Sequence, residues 1–600
     1  LAAVVGRSAP EAALVHALRQ TDADVRAGLA ELVERQVMEA GDDGSWRFVH
    51  DKLRETLYAD LPEADRPGLH RAAAEALLRE ADDSGAPLDQ ARLAHHWREA
   101  GEYSRAIDHY EAAATEAVAT FDNEGAIEHI RAAAALVPRV PTADSPMRRA
   151  RWSRTLVEAR LGVGQMREAF IDAERALLAL GHPFPQSRAG WVLGLLDAAA
   201  RRVVEAYLPR LTRVHDPLEV ERTQQAAYVC QRLLEPYFLA NKPLEGFVAG
   251  FRCINFAERT APTPTLARGL AFMSLLLGAT PFSAVAHRWA RRALATADEL
   301  GRPEVAEYVL NRTAIFEISN ARWGLVNDRF ARALAIARDL KDDRWSEDTW
   351  TCWGIGKIWA GDFTGALADA DATVQSAARR GDAQTQKWGL TNGVTALVRM
   401  GRDAEAEERL DRVGQTPGEA EHAYVMGNTA RLRWQQGRAP EATVAALEAL
   451  SFFQRATPIV YFLHSPLYDT VSVLLWRWAV ARRGGEGEVQ ARKEGLAALG
   501  LLRGYARMHR FARPTLAWAE GLAEWTAGRS DRARERWRTA LGDARACELP
   551  HEEAQVELEL AIRCDDDRAA RLDRAEAIAR RLSAGALLRR CQEARRQRDP

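Results

Sequence analysis

Residues 350–373 read WTCWGIGKIWAGDFTGALADADAT. A glycine, Gly361, is followed five residues later by Ala366, then four later by Ala370 and three later by Thr373. Glycine permits the left-handed backbone of a tight turn, and small residues on the next helix let two helices approach closely. The stretch therefore predicts two antiparallel helices joined at Gly361.

The same spacing recurs along the chain. Further copies are Gly101, Ala106, Tyr110 and Ala113; Gly164, Ala169, Ala173 and Ala176; Gly528, Ala533, Trp537 and Ala540; and, more loosely, Gly401 with Ala406 and Gly437 with Ala442. The turns at 361, 401 and 437 are 40 and 36 residues apart, which is near the period of helix-pair solenoids. Alanine, leucine, arginine and glutamate, all helix formers, dominate the composition. The sequence therefore predicts an all-α array of helix pairs.

One copy is similar to a complete tetratricopeptide repeat. Its matching residues are Trp350, Trp353 and Gly354 on the first helix, followed by Gly361, Phe363 and Ala366. The chain from residue 87 onward thus resembles an α-solenoid of tetratricopeptide-like pairs. We expect helical repeats over 87–300 that become irregular from about 195, regular repeats over 301–450, and irregular helices with terminal repeats over 451–600.

A pair of strands is predicted near the start of the chain. Residues 36–39 and 46–49 are short extended pieces on either side of the glycine-rich turn 41–44. Helices are predicted over 11–19, 24–35 and 52–61. Because helices that end in a β-hairpin outline a winged helix, we expect a winged-helix domain over 1–61 and a connecting helix over 62–86.

Residues 48–70 resemble the segment that follows the ATPase core in bacterial STAND-type signalling ATPases of the AAA-like group. The matching residues are Phe48, His50, Arg54, Glu55, Tyr58, Leu61, Arg66, Leu69 and His70. The resemblance implies that the chain, which begins at Leu1 without a methionine, is a fragment preceded by a core that binds ATP and Mg²⁺. It also implies that His50 and Arg54 lie at the hinge towards that core; the alternative is that His50 only anchors the wing.

Composition and motifs argue against several classes of function. The 82 basic and 84 acidic side chains nearly cancel, so no global field draws the chain to nucleic acid or to an anionic membrane. The helix predicted over 24–35 mixes both charges, which makes a poor surface for DNA phosphates. The sequence contains no P-loop and no catalytic signature. We therefore assign no catalytic residue and do not expect this chain to be an enzyme.

Metal and membrane sites are not predicted either. The six cysteines are scattered without a C-x-x-C pair, so they are expected to be reduced and buried. Adjacent histidines such as His95 and His96 diverge by about 100° on a helix, which disfavours a shared ion. The most apolar stretch, 459–480, is interrupted by His464, Asp469 and Arg477. A cytoplasmic location is expected.

The concave groove of the array is the expected binding site, because the first helix of each pair lines it. The groove positions are Asp348, Thr351, Ile355, Trp359, Trp388, Thr391, Tyr424, Arg431 and Trp434. Aromatic rings beside an arginine in a concavity suit a protein, peptide or small-molecule effector. The alternative is that these tryptophans form the core between repeats.

Three functions are compatible with these patterns. The resemblance favours the sensor and regulatory arm of a nucleotide-switched signalling ATPase, whose effector would be a cyclase, a kinase or a LuxR-type DNA-binding domain. The alternatives are a stand-alone tetratricopeptide scaffold with no nucleotide link, and the regulatory region of a LuxR-type transcriptional activator.

Overall fold

The computed structural model describes residues 1–18, 21–41, 45–85, 87–120, 122–208, 212–240, 242–278, 280, 282–414, 419–455, 460–484, 487–564 and 567–597. Helices dominate these ranges. Within them, no helix is long and apolar enough to cross a membrane. The architecture confirms the predicted class, an all-α array of tetratricopeptide-like helix pairs with a small sheet near its start.

The secondary-structure elements are numbered in chain order. The helices up to residue 300 are α1 Ala2–Val5, α2 Glu11–Leu18, α3 Asp22–Glu34, α4 Asp51–Ala59, α5 Arg66–Ser84, α6 Gln90–Glu99, α7 Tyr103–Ala119, α8 Asn123–Leu136, α9 Pro146–Gly162, α10 Met166–Ala179, α11 Arg188–Tyr207, α12 Pro217–Arg232, α13 Leu234–Leu239, α14 Pro243–Glu258, α15 Pro264–Gly278 and α16 Ser283–Leu300. The remaining helices are α17 Pro303–Ser319, α18 Trp323–Asp339, α19 Asp343–Ala360, α20 Phe363–Arg380, α21 Ala383–Met400, α22 Asp403–Val413, α23 Glu419–Gln435, α24 Ala439–Arg455, α25 His464–Gly484, α26 Glu488–Met508, α27 Arg513–Thr526, α28 Ser530–Ala546, α29 Pro550–Arg563, α30 Arg568–Arg581 and α31 Gly585–Arg596. The strands are β1 Ser8–Pro10, β2 Met38–Ala40 and β3 Ser45–Phe48.

The chain divides into two compact units. Unit 1 comprises Leu1–Gln186 and Asp216–Leu233, and unit 2 comprises Ser187–His215 and Leu234–Pro600.

The start of unit 1 contains the predicted hairpin and one strand that was not predicted. β2 pairs with β3 in antiparallel fashion, with Met38 opposite Phe48. β1 pairs with the other edge of β3, so the sheet order is β1-β3-β2. β1 has three residues and ends in Pro10, a residue type depleted in strands, so its sequence carried no strand signal. Residues 42–44 of the predicted turn lie outside the described residues.

The helices around this sheet follow the sequence pattern closely. α3 begins at Asp22, two residues before the predicted start. The reason is that the Thr21 side chain accepts a hydrogen bond from the backbone N–H of Asp24 at 3.3 Å and so caps the helix. Val25 and Leu29 of α3 are buried in the small core behind the sheet.

The predicted turn glycines have the expected backbone. Gly361, Gly401 and Gly437 have φ angles of 84°, 70° and 76°, which only glycine adopts readily. Ala366 and Ala370 of α20 are buried against the neighbouring helix, as the spacing predicts. The sequence signal for a helix pair therefore corresponds to an αL turn and a close helix contact.

In unit 2 the first helices of successive pairs lie side by side. α17 packs against α19, α19 against α21, α21 against α23, and α23 against α25. We call α17, α19, α21, α23, α25, α27 and α29 the inner helices. Side chains of distant inner helices also meet: Tyr468 of α25 donates a 2.7 Å hydrogen bond to Gln555 of α29. The interior of unit 2 is therefore a packed core over much of its length.

The C-terminal helices of unit 2 return to the turn ends of earlier pairs. The indole N–H of Trp323 donates to the carbonyl of Cys547 at 2.7 Å. α29 packs against α19, and α31 packs against α21. At the second contact, Arg589 donates to the carbonyl of Gly401 at 2.8 Å and pairs with Asp403 at 3.0 Å. Unit 2 is thus closed on itself by helices far apart in sequence.

Candidate binding site

The predicted groove residues fall into two groups by exposure. Asp348, Thr351, Trp388, Thr391 and Trp434 are partly exposed, and Ile355, Trp359, Tyr424 and Arg431 are buried. Because a buried side chain cannot touch a ligand without movement, only the first group borders solvent in this conformation. The residues of both groups lie on the inner helices α19, α21 and α23.

Trp359 lies between distant parts of unit 2. Its ring stacks on Phe511 with 4.2 Å between ring centroids and meets His464 edge-on at 5.4 Å. Its indole N–H donates to the hydroxyl of Ser465 at 3.0 Å. Trp359 thus occupies a core position in the closed array, which is the alternative that the sequence left open.

A second aromatic cluster lies between α23 and α25. Trp434 stacks on Trp476 with ring centroids 5.6 Å apart. The Arg431 guanidinium lies over the same Trp476 ring at 4.5 Å from its centroid. Trp388 has a different environment, because its indole N–H donates to Glu421 at 3.0 Å near the surface. Aromatic rings and an arginine are therefore present together, but their main partner is the chain's own helix α25.

A polar cluster, which we call the first polar layer, connects α17 with α19; its Arg312 and Glu307 side chains are buried. Arg312 donates to Asp348 at 2.8 Å and to Glu235 at 3.2 Å. Glu307 accepts a hydrogen bond from Thr349 at 3.3 Å. Burial, reinforced by the nearby Asp348 carboxylate, raises the pKa of Glu307 to about 8. Glu307 is therefore largely protonated at neutral pH, whereas Arg312 keeps its charge.

The second polar layer connects α21, α23 and α25. Arg399 forms an ion pair of 2.9 Å with Asp469, and both side chains are buried. Burial lowers the pKa of the nearby Arg431 to about 10 and raises the pKa of Tyr424 to about 12. The inner helices thus keep charged and polar groups in the interior of the unit, where apolar side chains are the rule.

An apolar cavity of about 170 Å³ lies at one end of this interior. Its lining residues are Phe238, Pro243, Phe247, Leu275, Leu276, Thr280, Tyr461, Met508 and His509. The volume would hold only a small apolar group. The cavity was not predicted, because its walls combine residues between 238 and 280 with residues between 461 and 509, which are far apart in sequence.

The two residues predicted to lie at a hinge, His50 and Arg54, are near the start of unit 1. His50 is exposed directly before α4, and Arg54 is partly buried on α4. The same helix exposes Leu53 and Leu57, which are 37% and 44% accessible. Leu57 also borders an open apolar groove of about 340 Å³ that is lined mainly by residues of α1, α2 and α3. Helix α4, which carries Arg54 and directly follows His50, therefore presents apolar side chains at its surface.

The cysteines do not form a reactive site. All six are free and buried. Burial raises the pKa of Cys591 to about 11, and also raises the pKa of Cys547. Because the thiolate is the nucleophile and the metal ligand, the thiols of Cys547 and Cys591 are poorly reactive at neutral pH. The described residues contain one group of three metal-capable side chains, His70, His95 and His96.

Sequence reasoning missed most of the polar layers. Glu307, Arg312 and Arg399 were not singled out, although a charged residue inside an otherwise apolar helix is a usable signal. Asp469 was noticed only as an interruption of the apolar stretch 459–480. Its partner lies 70 residues away, so no local spacing links the two.

Comparisons with known proteins give only remote likenesses. No protein-family model matches the chain, and no curated protein sequence matches it significantly. Among solved structures, it is similar to a signal transduction ATPase with numerous domains (STAND) from Pyrococcus horikoshii that has a tetratricopeptide repeat sensor, with 10% identity and a TM-score of 0.46. That match covers 76% of this chain and 63% of the other, so this chain spans less than two thirds of that protein.

Two further solved structures have the same kind of likeness. The Rap protein complexed with Competence and Sporulation Factor shares 11% identity at a TM-score of 0.42, and the match covers 63% of this chain and 98% of that one. Yeast Tom70 shares 13% identity at a TM-score of 0.32, and the match covers 82% of this chain and 99% of that one.

Proposed function

We propose that this chain is the sensor and regulatory arm of a STAND-type signalling ATPase, and that an effector binds the inner helices of unit 2. The observation that carries the proposal is the pair of polar layers on those helices. The effector is a protein, a peptide or a small molecule with polar and aromatic recognition groups.

The energetic cost of the polar layers favours a role beyond stability. A buried ion pair such as Arg399–Asp469 is desolvated on both sides, and well-packed apolar residues at such positions often give equal or greater stability. A purely architectural core would therefore gain nothing from these charges. An array that alternates between a closed state and an effector-bound state would use these charges in both states, pairing them within the chain in the first and with the effector in the second.

The aromatic contacts support the same reading. Arg431 and Trp434 pack on Trp476, a residue of α25, in the way that a groove would hold an aromatic side chain of a partner. In this proposal, α25 and the segment around Phe511 cover positions that an effector would reach when the array opens. Asp348, Trp388 and Thr391 border solvent already and would make the first contacts.

The N-terminal end of unit 1 supports the regulatory part of the proposal. Helices α2 and α3 lie between β1 and the β2–β3 hairpin in the chain, and the three strands form one sheet, which fits a winged helix. The exposed Leu53 and Leu57 and the adjacent apolar groove offer surface for a nucleotide-binding core. His50 and Arg54 would then contact that core, whose ATP and Mg²⁺ are bound outside this chain.

The proposal is tested first at the gene. We would sequence the DNA on the 5′ side of the Leu1 codon and look for an in-frame G-x-x-x-x-G-K-[ST] motif, the phosphate-binding loop of such ATPases. A P-loop in the same reading frame supports the regulatory arm. A start codon directly before Leu1 without such a motif contradicts it and leaves a stand-alone interaction scaffold.

If the P-loop is present, the hinge is tested in the full-length protein. His50→Ala with Arg54→Ala should change the rate of ATP hydrolysis at least several-fold, while exchange of the exposed His215 for alanine should not. Equal rates for all three proteins would contradict a hinge role for His50 and Arg54.

A further inference from the structure

Three histidines converge between helices α5 and α6 of unit 1. His70 lies near the start of α5, and His95 and His96 lie near the end of α6. One ring nitrogen of each residue can be chosen so that all three lie within 4.8 Å of one another. Nδ1 of His70 and Nδ1 of His96 are 3.0 Å apart. The group joins residues that are 25 or more positions apart in sequence.

The spacing of the three rings approaches that of a shared metal ion. The ring centroids are 5.6 Å apart for His70 and His95, 5.2 Å for His70 and His96, and 5.5 Å for His95 and His96. With Zn–N bonds of about 2.0–2.1 Å in tetrahedral geometry, three imidazoles have nitrogens about 3.4 Å apart and ring centroids about 5 Å apart. Small side-chain rotations would therefore bring all three nitrogens to one ion.

The rotation of adjacent helix positions by about 100° does not prevent this arrangement. The His96 side chain is buried, whereas the His95 side chain projects from the exposed side of the same helix. The buried His70 ring lies at comparable distances from both, so it bridges the two directions. The spacing of His95 and His96 in the sequence could not show that a third histidine, His70, approaches them from another helix.

Neighbouring groups orient the cluster. The Tyr58 hydroxyl lies 2.9 Å from Nε2 of His70, which leaves Nδ1 of that ring to face His96. Metal-bound histidines commonly hold their second ring nitrogen in such a hydrogen bond. Around His95, Arg98 lies 3.3 Å from Nδ1 and also pairs with Glu99 at 2.9 Å. A bound metal ion would replace the exposed contact between Arg98 and His95. The Glu99 carboxylate offsets part of the positive charge of Arg98.

We propose that His70, His95 and His96 bind a divalent cation of the zinc class, with the fourth coordination position open to water. Three neutral imidazoles with one open position are a ligand set that Zn²⁺ accepts. A bound ion would cross-link α5 to α6 next to Tyr58 of α4.

The test uses the whole chain, stripped of metal with a chelator and titrated with Co²⁺ and then with Zn²⁺. We expect one Co²⁺ per chain, the intense visible absorption of tetrahedral cobalt, and its loss when Zn²⁺ is added. Binding should also raise the melting temperature, because the ion binds the folded state.

The His95→Ala variant separates a metal site from a structural contact. His95 is exposed, so its removal should leave the fold intact, while metal affinity should fall at least tenfold. His215→Ala, a change at an exposed histidine of unit 2, is the matched control and should bind as the original chain does. The proposal is overturned if no saturable binding at one ion per chain occurs, or if His95→Ala binds the ion as tightly as the control.

Discussion

At the scale of single residues, the ion pair between Arg399 and Asp469 lies in the interior of unit 2. Both side chains are buried, so neither charge can be solvated if its partner is removed. Asp469→Ala should therefore lower the free energy of unfolding of unit 2 by about 3–5 kcal/mol. Urea unfolding followed by tryptophan fluorescence measures the change.

The control replaces both charges. A double variant, Arg399→Met with Asp469→Leu, does not leave the Arg399 charge without a partner, so it should recover part of the lost stability. The nearby Arg431 still loses the attraction of Asp469, so the recovery is incomplete. If the double variant is as unstable as Asp469→Ala, the cost comes from lost packing volume, and the argument from desolvation is wrong.

Glu307 gives the first polar layer a pH dependence. Its pKa is raised from an ordinary value of 4.5 to about 8, chiefly by burial, so the folded state binds a proton that the unfolded state has released. Its contribution to stability is present below pH 4.5 and is lost as the pH rises through about 8. We expect the stability of the protein to fall between pH 5 and pH 8 at up to about 1.4 kcal/mol per pH unit from this group.

The matched variants are Glu307→Gln and Glu299→Gln. Glutamine keeps the size and the hydrogen-bonding oxygen of Glu307 but cannot ionise, so the Glu307→Gln protein should have a flatter stability profile over pH 5–8. Glu299 is exposed, so its variant should keep the original slope. Urea unfolding midpoints of the original chain and of both variants are measured at four pH values across this range. Parallel profiles for Glu307→Gln and the original chain would contradict the role of Glu307.

At the scale of elements, two turn glycines with the same backbone differ in their surroundings. Gly381 and Gly401 have φ angles of 72° and 70°. A Cβ atom at Gly381 would meet nothing within 4 Å, whereas at Gly401 it would lie 2.7 Å from the backbone nitrogen of Ala586. Gly381→Ala should cost about 1–2 kcal/mol from the left-handed turn alone.

Gly401→Ala should cost at least about 1 kcal/mol more than Gly381→Ala, because α31 must move away from α21. Hydrogen exchange should become faster across residues 585–596 in Gly401→Ala only. Equal stabilities and equal exchange in the two variants would mean that α31 does not pack against this turn in solution.

The sequence predicted helix pairs well where glycine marks the turn. The sequence contains no signal for turns in which a residue other than glycine has a left-handed backbone. These residues are Ala321, Lys341, Glu548 and Ser583, with φ angles of 55°, 54°, 52° and 55°. A side chain in the left-handed region is tolerated there only because the flanking helices hold the turn. The periodicity of the helices, which is a local property, was therefore easier to predict than the connections.

The candidate sites depend on contacts that no local pattern encodes. The predicted groove positions lie on the inner helices, but the burial of Trp359 depends on Phe511, which lies 152 residues further along. The same holds for His70, because only the packing of α5 on α6 brings it to His95 and His96. Spacing predicts which face of a helix is polar, and tertiary packing decides what that face meets.

At the scale of the whole molecule, the return of α31 to α21 is the contact by which unit 2 can open. Arg589 is 47% exposed and pairs with Asp403, so the pair contributes at most about 1 kcal/mol, which a single substitution can reverse. Arg589→Glu places a negative charge beside Asp403 and removes the hydrogen bond to the Gly401 carbonyl. A double variant with Asp403→Arg restores an attractive pair and is the matched control.

Hydrogen exchange across unit 2 then separates local fraying from a cooperative opening. If unit 2 alternates between closed and open states, Arg589→Glu should accelerate exchange several-fold in α31 and also in α21 and α25, because the polar layers become hydrated together. Asp403→Arg should reverse both effects. Acceleration confined to residues 585–596 would contradict an opening array, and the inner helices would then be a permanent core that no effector reaches.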